Sequence, residues 1–270
     1  MTTFEPILVH AHNPGPWTGE GNNTFLIVGR GGSATLIDAG QGHAAHLDLL
    51  DRHLWHHAAT LAHVLVTHGH TDHASGAPRV GEAHPVASFH KRPWPRDDHR
   101  FGVSWQPVDD GARLDIGGED LIALHTPGHA PDHVAFWHEP SGTVFVGDLV
   151  MARGSVMIHA SRGGDLTEYL ASLARIRALY PRRLLPAHGE PIDDPDRALA
   201  RHIEHRLARE AQVAAALAAG LDTIPAIAES IYDGLDPALL PAAHETVRAH
   251  LEKLGREGRA VTDGDRWSAR

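Results

Sequence analysis

The sequence predicts an α/β fold with a small helical domain at its C-terminal end, and three observations carry that prediction. Short apolar, β-prone runs alternate with amphipathic helical stretches through the first 195 residues. Four of those runs lead into a histidine or an aspartate that could serve as a ligand. Beyond Pro195 the pattern changes to helices alone, closed by a single hairpin signal.

In chain order, Asn22-Asn23-Thr24 reads as a turn, residues 25–28 as a strand and 34–40 as the next, with a glycine-rich turn between them. That pair suggests a hairpin at the edge of an antiparallel sheet, and Asp38 falls at its end. Residues 43–57 read as a helix, with Leu47, Leu50 and Leu54 in one stripe. The run Val64-Leu65-Val66 reads as a buried strand that breaks at Gly69, releasing His68, His70, Asp72 and His73 within six positions. In an extended segment residues i and i+2 point the same way, so His68 and His70 can grip one cation. Asp72 and His73 follow where a short helix begins and can turn to a second ion. Imidazole and carboxylate are the ligands zinc accepts where thiolate is absent.

Residues 86–89 read as a further strand. The stretch from His90 to Phe101 then breaks the pattern with two prolines, basic residues and two aromatics. It reads as a solvated surface loop, or as a lid offering cations and flat faces to a substrate. Strands follow at 120–125 and 133–137, and the turn Thr126-Pro127-Gly128-His129 between them presents His129 at a strand end. The strand at 143–146 runs into Gly147-Asp148. A helix over 165–179 opens on a capping box, Asp165 with Glu168, and the strand at 183–185 leads to His188. Residues 196–219 read as a long helix with Ile203, Leu207, Ala211, Ala214 and Leu217 on its apolar side, stopped by Gly220. Helices near 224–232 and 239–254 and a turn at Asp263-Gly264 complete the chain.

The chain of 270 residues is long enough for one large domain and a small one. No apolar run reaches the length of a membrane span, and Met1 to Pro6 lacks the basic and apolar regions of a signal peptide. Cysteine is absent, which excludes disulfides and thiolate ligands. A cytoplasmic enzyme fits best. The net charge of −10 argues against broad binding to nucleic acid. His53, His56, His57, His84, His202, His205, His244 and His250 lie outside any ligand pattern and are expected to face solvent.

The motif His68-x-His70-x-Asp72-His73, completed by His129, Asp148 and His188, resembles the metallo-β-lactamase superfamily. The resemblance implies a four-layer αββα sandwich holding two zinc ions, with iron or manganese as alternative occupants. His68, His70 and His129 would hold one ion, Asp72, His73 and His188 the other, with Asp148 bridging. It further implies hydrolysis by a hydroxide shared between the metals, with Asp72 and Asp148 as the catalytic carboxylates and Asp72 orienting that hydroxide or accepting its proton. Asp38 would shape the loop beneath; the proton donor to the leaving group is unassigned, and His133, near in sequence, could fill that role or stand behind the ligands. Metallo-β-lactamases proper match poorly, since many need a cysteine ligand.

The C-terminal helices and hairpin, His205-Arg206, the stretch from Thr126 to His133 and the run Gly154-Ser155-Val156-Met157-Ile158 are similar to the β-lactamase-like protein 2 branch. That implies a catalytic domain over 1–195 and a winged-helix-like domain over 196–270. The branch includes single-strand-specific endoribonucleases and acyl-carrier thioesterases. The expected substrate is a small ester, thioester or lactone. The alternatives are single-stranded RNA, and, from another class, a metal-holding regulator that binds DNA. A nuclease needs a cation track, and Lys91, Arg92, Arg96 and Arg100, with Arg153 and Arg162, are its candidates; Trp94, Phe101 and Trp105 could stack on bases or wall an acyl pocket. Residues 196–270 carry 10 Lys and Arg against 12 Asp and Glu, so this module lacks the basic balance of a nucleic-acid binder.

Overall fold

The computed structural model of the chain describes residues 4–270, so the reading of Met1 to Thr3 lies outside the described residues. Two sheets face each other. The first runs in the order β1 (Ile7–His10), β2 (Asn23–Val28), β3 (Ser33–Ile37), β4 (Thr60–Val66), β5 (Ser88–Lys91) and β6 (Trp105–Pro107). β2 and β3 form the expected hairpin, but β1 pairs outside it, so the hairpin is not the edge. From β3 onward the pairing is parallel, with α1 (Ala44–His56) and α3 (Ala77–Ala83) making crossovers and α2 (Thr71–Ala74) lying between.

The second sheet contains β7 (Arg113–Asp115), β8 (Asp120–His125), β9 (Val134–His138) and β10 (Thr143–Gly147) as an antiparallel meander. After α4 (Leu166–Arg177), β11 (Arg183–Pro186) joins parallel to β10. The α4 cap is as expected: the Asp165 carboxylate accepts from the amides of Thr167 and Glu168 at 2.8 and 3.0 Å.

Strand alternation divides the apolar residues among three cores, which makes the four-layer αββα arrangement. Val64 and Val66 of β4 pack with Leu50, Leu54 and Val80 under α1 and α3. Leu65, one residue out of phase, packs between the sheets with Phe25, Phe136 and Phe145. Val144 and Val146 of β10 face Leu166, Leu173 and Ile176 of α4 on the far side. No helix among the described residues is long and apolar enough to cross a membrane.

The C-terminal region consists of α5 (Pro195–Ala218), α6 (Ile224–Ile231), α7 (Leu240–Arg256) and the hairpin of β12 (Ala260–Asp263) and β13 (Arg266–Ala269). Leu199 of α5 belongs to the core under α4, while Val213 and Leu217 join Ile227, Val247 and Leu251 in a separate core. The buried face of α5 differs from the expected stripe. Leu207 and Ala211 are exposed, and His202, Arg206, Glu210, Val213 and Leu217 point inward. His202 and His250 are therefore buried, where solvent exposure was expected.

Candidate metal centre

All the predicted ligand residues converge at one end of the two sheets. His68 follows β4, His70 caps α2, and Asp72 and His73 lie in the first turn of α2. His129 sits on the loop between β8 and β9, Asp148 directly follows β10, and His188 follows β11. Two groups form, each able to converge its nitrogens and oxygens on one point. His68, His70, His129 and Asp148 make the first, and Asp72, His73 and His188 the second. Asp148 faces both: Oδ2 lies 3.5 Å from His129 Nε2, and Oδ1 lies 3.5 Å from His73 Nε2 and 3.3 Å from His188 Nε2.

The side chains behind the ligands fix which ring nitrogen faces the centre. His129 Nδ1 lies 2.7 Å from the Met157 carbonyl. A carbonyl can only accept, so this nitrogen carries the hydrogen and Nε2 turns a lone pair inward. His73 is held the same way by Asp38 Oδ2 at 2.8 Å. Asp38 stands at a left-handed φ of 63° just past β3, and its Oδ1 also accepts from the Thr67 amide at 2.7 Å. This is the shaping role expected of it. His133 is fully buried with Nδ1 2.9 Å from the Thr126 hydroxyl, and its Nε2 accepts the Asp148 amide at 3.1 Å. Gly147 leaves room for this: a Cβ there would come within 2.6 Å of His133 Nε2.

Charge divides the centre into two halves. Burial, reinforced by neighbouring histidines, pushes His68 well below the ordinary imidazole range and His70 down to about 3. Burial also opposes charge on His188, but Asp148 and Asp72 outweigh it and push that pKa up to about 9. His73 is raised in the same manner, Asp72, Asp38 and Asp148 prevailing over burial. Imidazole lone pairs aimed at carboxylate oxygens repel unless a cation lies between them. Among the described residues Asp148 Oδ1 is a buried oxygen with no hydrogen-bond partner, although His73 Nε2 and His188 Nε2 lie 3.5 and 3.3 Å away. Neutral imidazoles on one side and carboxylates on the other suit a pair of divalent cations.

Two residues of the site have roles that the sequence reading missed. Asn22, read as part of a turn, is buried and donates through Nδ2 to Asp72 Oδ2 at 2.9 Å. Lys91, a candidate for a solvent-facing cation track, has its side chain fully buried at the end of β5. Its Nζ lies 2.8 Å from Asp132 Oδ2, 2.7 Å from Asp98 Oδ1 and 2.7 Å from the Arg92 carbonyl. Asp132 Oδ2 also accepts the amide of Gly69, between His68 and His70, at 2.8 Å. A Cβ on Gly69 would meet that oxygen at 3.2 Å, Phe101 at 3.7 Å and Trp94 at 3.8 Å. The stretch after β5 thus leans on the metal-ligand loop. The signal for Lys91 was its phase in the strand, two residues from buried Phe89. Of the remaining track, Arg100 pairs with Asp97 at 3.1 Å, while Arg96, Arg153 and Arg162 are exposed.

Comparison with known proteins bears on the family and the fold. Residues 17–188 match the model of the metallo-beta-lactamase superfamily, and residues 223–267 match the beta-lactamase associated winged helix domain. A beta-lactamase-like protein 2 homolog of Caenorhabditis elegans is 29% identical over 96% of this chain and 89% of its own length. An atrochrysone carboxyl ACP thioesterase of Cryptosporiopsis sp. is 33% identical over 78% of this chain and 62% of its own. The crystal structure of a metallo-beta-lactamase family protein from Thermus thermophilus superposes with a TM-score of 0.79 over 98% of both chains at 23% identity, a likeness of fold.

Proposed function

We propose, given that this chain belongs to the metallo-β-lactamase superfamily and is a hydrolase of that family, that it is a dinuclear zinc enzyme acting on a small ester, thioester or lactone. The observation that carries the proposal is Asp148, with one carboxylate oxygen toward each histidine group. His68, His70 and His129 would hold one ion, Asp72, His73 and His188 the other, and Asp148 both. Zinc is preferred over manganese because imidazole dominates the donor set, and over ferrous iron because the same donors bind zinc more tightly. Two such cations, when bound, supply a water acidic enough to attack at neutral pH and a Lewis acid for the carbonyl oxygen.

The chain's own groups then have separate tasks. The Met157 carbonyl and Asp38 keep the hydrogens of His129 and His73 on Nδ1, leaving Nε2 free to bind. Asn22 fixes one oxygen of Asp72 and leaves Asp72 to orient the attacking water and take its proton. Asp148 draws the two positive charges together, its own placement set by His133. Trp94, half-buried beside the loop that carries His68 and His70, supplies an apolar face on one side, backed by Phe101 in the core beneath. A carbonyl substrate fits this arrangement better than RNA, because the burial of Lys91 removes one cation from a track that a nuclease would need. The relative named as an acyl-carrier thioesterase supports the same choice. We place the division between catalytic and C-terminal domains at residues 195 and 196, where α5 begins.

Elemental analysis of zinc-loaded protein should find two metals per chain, and one or none refutes the dinuclear reading. A panel of aryl esters, thioesters and lactones should be cleaved with little dependence on salt, and Asp148→Asn should abolish most of that activity while the fold is retained. Rapid cleavage of single-stranded RNA that weakens steeply with salt would reverse the choice of substrate.

A further inference from the structure

The segment that leaves Asp148 and returns to the metal centre at Met157 has no regular secondary structure. Leu149, Val150 and Val156 within it are nonetheless buried. Its backbone is gripped from the C-terminal side. The Tyr169 hydroxyl donates to the Leu149 carbonyl at 2.9 Å. On α5, Arg201 donates to the carbonyls of Met151 and Ala152, both at 2.9 Å, and His202 Nε2 lies 3.0 Å from the Met151 carbonyl. One turn further on, Arg206 donates to the carbonyl of Val156. The next carbonyl along the chain, that of Met157, is the one that takes the His129 hydrogen.

Arg206 is only 3% exposed, and its guanidinium lies over the Tyr169 ring at 5.4 Å, so a carbonyl and a ring face its charge. A buried cation without a carboxylate is a costly way to stabilise a fold. Its contact with the segment gives it another use. We propose that Arg206, assisted by Arg201 and His202, is a positioning residue for the metal centre. Through the segment from Asp148 to Met157, α5 sets the direction of the Met157 carbonyl and hence the orientation of the His129 ring. The same grip anchors the chain immediately after Asp148. The C-terminal region thus acts on metal affinity without supplying a ligand. The inference rests on the reading of His129 and Asp148 as ligands.

The test uses the full chain, stripped of metal and reloaded with zinc or cobalt. Arg206→Met should weaken one of the two zinc ions by about 10-fold or more in competition with a chelator, the range seen when partners behind metal ligands are lost. It should alter the visible spectrum of the cobalt protein and lower kcat with little change in KM. Arg206→Lys should recover part of the affinity. A role in folding alone predicts a lower melting temperature of the metal-free chain with affinity and cobalt spectrum as in wild type, and that result overturns the proposal. If Arg206→Met does not fold, Arg201→Ala, at an exposed position, releases the Ala152 carbonyl and one of the two contacts to the Met151 carbonyl of the same segment. Wild-type affinity for both ions in that variant also overturns it. His129→Ala separates the two levels of the argument. If it still binds two ions at full affinity, the metal reading falls and this inference with it. If it loses an ion while the Arg206 and Arg201 variants do not, this inference alone falls.

Discussion

Replacing Lys91 by methionine keeps most of the side chain's shape and removes its charge from a site closed to water. Both the Lys91 and Asp132 side chains are 0% exposed, and Nζ makes three contacts of 2.7–2.8 Å. Removing one partner of such a pair costs about 3–5 kcal/mol, mostly because the other charge stays buried. Here Asp132 would keep the Gly69 amide, while its second oxygen already lacks a partner. At about 2–4 °C per kcal/mol for a chain of this size, the melting temperature should fall by about 10 °C. Burial pushes the Asp132 carboxyl up, with Lys91 pulling against it. An acid whose folded pKa is raised is favoured in its protonated form, so the deficit in Lys91→Met should shrink on acidification and grow as pH rises. Adding Asp132→Asn removes the stranded charge and keeps an acceptor for Gly69. The double variant should therefore be more stable than the sum of the single losses by about 2 kcal/mol. Urea unfolding of the metal-free proteins measures all of this. Additive losses, or a Lys91→Met protein as stable as wild type, would refute the account of Lys91 as a buried junction.

Gly128→Ala should be severely destabilising. Gly128 has a φ of +128°, and a Cβ there would lie 2.3 Å from the backbone nitrogen and Cα of Tyr169. Strain and collision together should cost about 3 kcal/mol or more, and because His129 is adjacent, zinc titration should show weaker binding as well. His250 gives a pH prediction away from the centre. It is fully buried, neither ring nitrogen has a partner among the described residues, and burial together with Arg206, Arg209, Lys253 and His205 pushes its pKa down to about 3. Below pH 6.5 the unfolded chain takes up a proton that the folded chain refuses, so stability should fall by up to about 1.4 kcal/mol per pH unit from there toward pH 3. His250→Leu should match or exceed wild type near neutrality and lose less stability on acidification. Equal acid slopes in the two proteins would remove His250 from the account.

The convergence of the site was legible in the sequence for a physical reason. A strand turns its side chains at a period of two, and a break after it leaves the next polar residue at the mouth of the sheet. Asp148 follows that rule directly, while His68 and His188 lie two residues and His129 four residues past the ends of their strands. The groups that serve the ligands were harder to read, because their partners lie far along the chain: Asn22 meets Asp72 across 50 positions and Lys91 meets Asp132 across 41. Polarity then misleads, since a lysine paired with carboxylates or a hydrogen-bonded asparagine can be buried once distant partners meet it. α5 shows the same effect over a whole face. Scoring only apolar residues selected Leu207 and Ala211, whereas His202, Arg206 and Glu210, spaced four apart, mark the side that faces the protein. That spacing was present in the sequence as a helical stripe of polar residues.

The scatter of the ligand groups along the chain bears on how the molecule assembles. His68 and His188 stand 120 positions apart and come from different sheets. Neither histidine group is complete in one sheet: His129 and Asp148 join the first from the second sheet, and His188 joins Asp72 and His73. On the proposed metal reading, ion uptake at full affinity would be a late event, open only to chains whose sheets have docked in correct register, and long-range closures of this kind are slow. Any ion that binds only the docked state raises the population of that state by mass action. Misregistered or half-built chains would gain nothing from it and would stay open to proteolysis while docked chains were protected, so a filled centre would act as a checkpoint on folding as well as a place for chemistry.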